Sequence, residues 1–364
     1  MNRVLMVLAG LGLNAAYATA AGAQEMAQEQ HGAGVEPSSI RVPTPPWPPG
    51  DERGMANTQG PGTWLRCAQY MNGPKVEVYE LSHLLSNSIP MSPYGPKVEY
   101  QFRPTAGLPG TRHAFNGESV TGDQGSQGTQ LDSLGHFGYL PDPWSGQGAL
   151  PSDAVRYYGG FRQADVKPTP QSPLQKLGLD KMPPIITSAV LLDARKYIGH
   201  GSALKAGQRI TPQDIEGMLR AQGLGWRGLL PGDVLYIYTG WEENWADPAK
   251  EYYLKGPGLS YEAAKYLTSK AIVLVSLDCP FIDPAPEGFV EGHGPPPAGT
   301  PPGLPYAVHH QHLTQAGIYQ IENAHLKEMA ADKVWLSCTM ILPLRVQGGA
   351  SSPIRPVAIG TPGQ

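Results

Sequence analysis

The chain has 364 residues and a formal net charge of -4, and 16% of its residues are charged. It contains no basic stripe, which argues against nucleic acid as a partner, and after the N terminus no stretch is long and apolar enough to cross a membrane. The 45 glycines and 38 prolines favour a loop-rich, strand-rich fold over a helical bundle, and the length permits one large domain or two small ones.

Residues 1–23 have the pattern of a secretory signal peptide. Arg3 supplies a positive charge, Val4 to Leu13 form an apolar run, and Ala21 to Ala23 are the small residues of a cleavage site. The apolar run is shorter than a membrane anchor requires. We therefore expect a periplasmic or secreted protein whose mature chain starts near Gln24.

Residues 24–75 form a Pro/Gly-rich extension, which we expect either to wrap around the folded domain or to stay mobile. The segment from Pro43 to Gly50 contains too many prolines for a helix or a central strand. Trp47 and Trp64 suggest that part of the extension docks. The folded domain should then cover residues 76–364.

Three cysteines are present, Cys67, Cys279 and Cys338. An oxidising compartment permits one disulfide and leaves one thiol over, and the sequence does not decide which pair forms. Cys279 and Cys338 lie in or beside apolar, strand-like runs, so buried free thiols are the simpler interpretation for these two.

The stretch Ser126–Phe137 concentrates side chains that can bind metal or transfer protons. Gln130 and Asp132 alternate with the apolar Leu131, which fits a short extended segment that places both polar residues on one face. Asp132 and His136 offer a carboxylate and an imidazole, a combination that suits a divalent ion with a base beside it. The alternative is a polar loop in which Asp132 only caps a turn.

This stretch resembles the signature of the cyclase family of metal-dependent hydrolases, which includes bacterial kynurenine formamidase and isatin hydrolase. The family signature is His-x-Gly-Thr-His-x-Asp-x-Pro-x-His, and the positions that match it are Gly128, Thr129, Asp132 and His136. The positions that depart from it are Ser126 and Gln130, in place of two histidine ligands, and Leu134, in place of the proline. The resemblance therefore implies a variant branch with an altered metal site.

Strands and helices alternate through the middle of the chain. Three apolar runs predict strands, at Ile185–Leu192, Asp233–Thr239 and Ile272–Leu277. The helices between them start after the capping residues Thr211 and Ser260. This order predicts an α/β fold. The resemblance extends over residues 76–359 and implies a single domain with the swivelling β/β/α fold of the cyclase family.

Histidines are densest at residues 308–312. His310 and His312 share a face if this stretch is extended, whereas His309 and His312 do so if it is helical. On the family resemblance, His310 and Glu322 are the second pair of metal ligands, and His309 and His312 are their neighbours. A solvated histidine patch is the alternative.

The resemblance implies a hydrolase that holds a divalent metal through Gln130, Asp132, His310 and Glu322 and uses His136 as acid and base. Oxygen and nitrogen ligands without a thiolate favour zinc or manganese. The substrate would be a small molecule with an amide, cyclic amide or imide, or lactone bond, and we expect a homo-oligomer. The rival interpretation is a non-catalytic exported protein of the same fold that binds a small molecule or a metal.

Overall fold

The computed structural model describes residues 42–247 and 251–363. The predicted signal peptide and the first part of the extension lie outside these ranges and stay predictions. The homo-oligomer also stays a prediction. Within the two ranges, no helix combines the length and the apolar character that a bilayer span requires.

Most of the regular elements are short. The strands are β1 (Glu77–Glu80), β2 (Glu99–Phe102), β3 (Ala106–Gly107), β4 (Ala114–Phe115), β5 (Glu118–Thr121), β6 (Gln130–Asp132), β7 (Ile185–Asp193), β8 (Arg209–Ile210), β9 (Val234–Tyr238), β10 (Gly258–Leu259), β11 (Leu274–Leu277), β12 (Tyr319–Glu322), β13 (Leu336–Ile341), β14 (Ser351–Pro353) and β15 (Val357–Gly360). The α-helices are α1 (Pro61–Tyr70), α2 (Gln163–Val166), α3 (Ala194–Tyr197), α4 (Pro212–Ala221), α5 (Tyr261–Ser269), α6 (Ala307–His309) and α7 (Lys327–Ala331). A π-helix continues α6 over His310–Ala316. Short 3-10 helices lie at Gly54–Thr58, Gln124–Ser126, Ser152–Ala154, Tyr158–Gly160, Leu179–Lys181, Trp241–Asn244 and Tyr252–Leu254.

A nine-stranded mixed sheet forms the centre of the molecule, in the order β1-β15-β13-β7-β9-β11-β12-β6-β14. The strands β7, β9, β11 and β12 run parallel to one another, and the other pairings in this sheet are antiparallel. Both β9 and β11 are buried along their whole length, as expected for parallel strands that are covered on both faces. The α/β prediction is confirmed, and β7, β9 and β11 are the three predicted strands.

The helices α4 and α5 begin where the sequence predicts. The Thr211 side chain accepts a hydrogen bond from the backbone N–H of Asp214, and the Ser260 side chain accepts one from that of Ala263. Each cap satisfies a backbone donor that a helix start leaves unpaired. Helix α4 packs on β7 of the parallel part of the sheet, and α5 packs on α4.

Part of the predicted extension belongs to the fold. Helix α1 packs on β7 and β13, and Cys67 in this helix forms a disulfide with Cys338 of β13. Trp47 packs against the core, whereas Trp64 is 53% exposed. The interpretation of Cys338 as a free thiol is therefore wrong, and Cys279 is the buried free cysteine.

The disulfide should contribute strongly to stability. It joins cysteines that are 271 positions apart, and closing so long a loop restricts the unfolded chain. The Cys67→Ala variant should therefore lose about 2–5 kcal/mol of the free energy of unfolding, measured by urea denaturation of the full chain. Wild-type protein in reductant should show the same loss, and an unchanged midpoint in both experiments would contradict this prediction.

At one end of the sheet, the antiparallel pairing of β6 with β12 places polar residues opposite one another. Gln130 lies opposite Glu322, and Asp132 lies opposite Gln320. Because alternate residues of a strand point to the same face, these four polar side chains emerge on one face of the sheet. The π-helix covers that face, where Nδ1 of His312 lies 3.2 Å from Nε2 of Gln320. The sheet thus carries a buried polar surface under a histidine-rich helix.

Candidate metal centre

Three buried side chains meet at this polar surface: Asp132, His309 and Glu322. Nε2 of His309 lies 3.3 Å from Oε1 of Glu322 and 3.8 Å from Oδ2 of Asp132. None of the three side chains is more than slightly accessible to solvent. Two carboxylates and an imidazole in this arrangement form a donor set for a divalent transition metal.

Asp283 fixes the orientation of the His309 ring. Its Oδ2 lies 2.5 Å from Nδ1 of His309, and its carboxylate also accepts hydrogen bonds from the backbone N–H groups of Val308 and His309. With Nδ1 engaged by Asp283, Nε2 is the ring nitrogen that faces Asp132 and Glu322. A carboxylate behind the histidine is the usual support of a metal-binding imidazole.

Burial and neighbouring charges shift the acid–base properties of the cluster. Burial raises the pKa of Glu322 to about 7. Burial alone would lower the pKa of His309, but its hydrogen bond to Asp283 and the nearby carboxylate of Glu322 raise it well above its usual value. The carboxylates around His309 therefore favour a positive charge between them. A divalent cation would supply the same charge beside a neutral imidazole.

Several buried oxygens of the centre have no hydrogen-bond partner among the described residues. They are Oδ1 and Oδ2 of Asp132, Oε1 of Glu322 and Oε1 of Gln130. An unpaired buried polar group costs about 1–3 kcal/mol, and more when it is charged. A cation that accepts these lone pairs would remove that cost, so the residues present fit a divalent metal ion.

The two positions where the family signature has histidine ligands, Ser126 and Gln130, have different surroundings. Gln130 belongs to the cluster, because its Nε2 donates a hydrogen bond of 3.0 Å to Oε2 of Glu322, which leaves its Oε1 available to a ligand. Ser126 lies in the preceding 3-10 helix, and its hydroxyl donates to Oδ2 of Asp123 at 2.8 Å. Of the two substituted positions, Gln130 is thus the one that contacts the carboxylates.

The histidine that reaches the carboxylates is His309, and not His310 as the family resemblance implied. Nε2 of His310 lies 3.0 Å from Nε2 of Gln315, and its ring packs against Tyr139. The reason is that the stretch is helical. In a helix, His309 and His312 lie on the same side, one turn apart. His309 therefore contacts Glu322, and His312 contacts Gln320 on the same face of β12. The helical alternative for residues 308–312 had already predicted that His309 and His312 share a face.

The predicted acid/base His136 lies on the loop that follows β6, and its side chain is exposed. Its neighbour Phe137 packs against the His309 ring at a centroid distance of 5.4 Å, and Thr314 donates a hydrogen bond to the Phe137 carbonyl. The loop therefore lies against α6 and the π-helix, next to His309. A role of His136 in proton transfer stays a prediction.

The model of the Cyclase family matches residues 79–284 of the chain. The chain belongs to the cyclase family. The matched range includes Gln130, Asp132, His136 and Asp283, whereas His309 and Glu322 lie beyond it. The family match therefore includes Asp132, and the structure shows that His309 and Glu322 lie beside it. No curated protein sequence matches the chain.

Solved structures share the fold. A novel cyclase has 23% sequence identity and a TM-score of 0.69, over 86% of this chain and 95% of that chain. Isatin hydrolase A from Ralstonia solanacearum has 16% identity and a TM-score of 0.52, over 78% of this chain and 92% of that chain. An isatin hydrolase bound to the product analogue thioisatinate has 19% identity and a TM-score of 0.51, over 79% of this chain and 93% of that chain. These similarities confirm the predicted cyclase-like fold.

Proposed function

We propose that this member of the cyclase family is a metal-dependent hydrolase of small molecules that acts on an amide, a cyclic amide or imide, or a lactone bond. The observation that carries the proposal is the buried cluster of Asp132, His309 and Glu322 with its unpaired carboxylate oxygens. Family membership supports it, as does the fold shared with two proteins named isatin hydrolases.

Zinc and manganese are the ions that this donor set suits best, because it combines an imidazole with oxygen donors and offers no thiolate. When bound, such an ion lowers the pKa of a water and polarises a carbonyl. Asp132 and Glu322 supply the compensating negative charge, and Asp283 holds Nε2 of His309 towards them. Gln130 orients Glu322 through its amide N–H.

His136 is the proposed acid and base of the reaction. A base that works at neutral pH must take a proton from water and return it to the leaving nitrogen or oxygen, and imidazole is the side chain most often used for both steps. Exposure leaves the His136 ring free to face a substrate that enters from solvent. Its loop is held against the centre by the contact of Phe137 with His309.

The test is a substrate screen with the full chain. Protein stripped by a chelator and reloaded with Zn²⁺ or Mn²⁺ should hydrolyse at least one member of a panel of N-formyl compounds, cyclic amides and lactones. The Glu322→Gln variant keeps the shape of the side chain but removes its charge, so it should bind metal about 10–100-fold more weakly or worse and lose turnover. Metal-loaded protein that turns over no compound of the panel would favour the non-catalytic binding protein.

A further inference from the structure

A second group of potential metal ligands lies outside the centre described above. It consists of His83, Glu242 and His325, whose ligand atoms all lie within 4.8 Å of one another. The three residues come from the segment after β1, from the 3-10 helix after β9 and from the segment after β12. The proposed function uses none of them.

Backbone contacts bring the two histidines together. Ser82 and Ala324 form an isolated β-bridge, and the backbone N–H of His325 donates to the carbonyl of Leu81. His83 and His325 follow directly on the two sides of this bridge, and their ring centroids are 5.1 Å apart. The pair is therefore positioned by the main chain and not by the flexibility of long side chains.

Glu242 is the buried carboxylate of the group. Its Oε2 lies 2.5 Å from Nδ1 of His325, and its Oε1 accepts a hydrogen bond from the backbone N–H of Leu326. The latter contact holds one oxygen of the carboxylate in place and directs the other to the histidines. Only 6% of Glu242 is exposed, which makes an isolated charge at this position costly.

An unpaired nitrogen of His83 is independent evidence that this group binds a ligand. Its Nε2 is buried and has no hydrogen-bond partner among the described residues. Its ring stacks on Trp245, with centroids 4.1 Å apart and an interplanar angle of 9°, so the packing fixes its plane. A fixed, buried imidazole nitrogen without a partner is suited to donate to a metal.

We propose that His83, Glu242 and His325 bind a second divalent transition-metal ion of the zinc class. Two imidazoles and one carboxylate favour such an ion over magnesium or calcium, which prefer oxygen ligands throughout. Three protein ligands leave at least one position for water or another small ligand, as in zinc sites that are not closed. The ion would also connect three segments that are far apart in the sequence.

The test counts Zn²⁺ ions bound per chain in the full-length protein, by elemental analysis after dialysis in a metal buffer whose free Zn²⁺ just saturates the wild type. Wild type should bind two ions, His83→Ala should bind one, and Glu322→Gln, which alters the first centre, should also bind one. The double variant should bind none. His113→Ala, which removes an exposed histidine of the β4 region, is the matched control and should bind two.

Co²⁺ provides a second measurement that does not depend on the first centre. Glu322→Gln loaded with Co²⁺ should show visible absorption from protein-bound Co²⁺ that disappears when His83→Ala or His325→Gln is added. Far-UV circular dichroism should show that each variant folds. An unchanged Zn²⁺ count in folded His83→Ala, or an absorption that survives both substitutions, would overturn the proposal. If instead the centre of Asp132, His309 and Glu322 does not bind metal, the Zn²⁺ count of Glu322→Gln should equal that of wild type. The two proposals can therefore fail separately.

Discussion

Replacement of His309 by alanine should weaken the binding of Zn²⁺ or Mn²⁺ at the centre of Asp132 and Glu322 by at least about 10–100-fold, the range for residues that only support a ligand. Turnover should be lost with the metal. The physical reason is that Nε2 of His309 is the imidazole nitrogen that faces both carboxylates. Competition with a coloured chelator, carried out in the His83→Ala background, measures the affinity of this centre alone.

His310 offers a matched control for that experiment. It is the adjacent residue and is also buried, but its Nε2 faces Gln315. His310→Ala should therefore keep the metal affinity of the centre while it loses some packing energy. If His310→Ala loses the metal and His309→Ala retains it, the assignment based on the structure is wrong and the one implied by the family resemblance is right.

Replacement of His136 by alanine should lower turnover by about 10²–10⁴-fold, the usual contribution of a general acid or base. Metal content should stay unchanged, because the His136 side chain is exposed and lies outside the buried donor set. Steady-state kinetics and elemental analysis on the same preparation give both results.

The opposite outcome for His136 would have a definite meaning. If His136→Ala loses its metal, then His136 is a ligand that replaces one of the two family histidines absent at Ser126 and Gln130. In that case the loss of turnover would follow from the loss of the ion, and addition of excess Zn²⁺ or Mn²⁺ should restore part of it. If His136→Ala keeps its metal but loses turnover, the result supports the proton-transfer role.

Sequence patterns were sufficient to predict the elements that depend on local chemistry. The buried strand β9 is a continuous apolar run, and the caps Thr211 and Ser260 mark the starts of α4 and α5. The alternation of Gln130 and Asp132 around Leu131 likewise predicted the short strand β6 with both polar residues on one face. In each case the signal lies within a few neighbouring residues, where side-chain periodicity and capping act directly.

Features that depend on contacts between distant segments could not be predicted in the same way. Helical periodicity groups His309 with His312, but it does not show which histidine reaches Glu322. That choice depends on how α6 and the π-helix lie on β12. The contact of Asp283 with His309 could not be predicted from the sequence either, because it joins a loop to the start of a helix. The pairing of Cys67 with Cys338 depends on the docking of α1 on the sheet.

The central claim is that Asp132, His309 and Glu322 bind one divalent metal ion. Anomalous diffraction from crystals of the full chain grown with Zn²⁺ or Mn²⁺ tests it most directly. The account predicts an anomalous peak within ligand distance, about 2.0–2.2 Å for zinc, of Nε2 of His309 and of a carboxylate oxygen from each of Asp132 and Glu322. Crystals that contain the metal but show no peak at these three residues, or show it at His310 instead, would contradict the account.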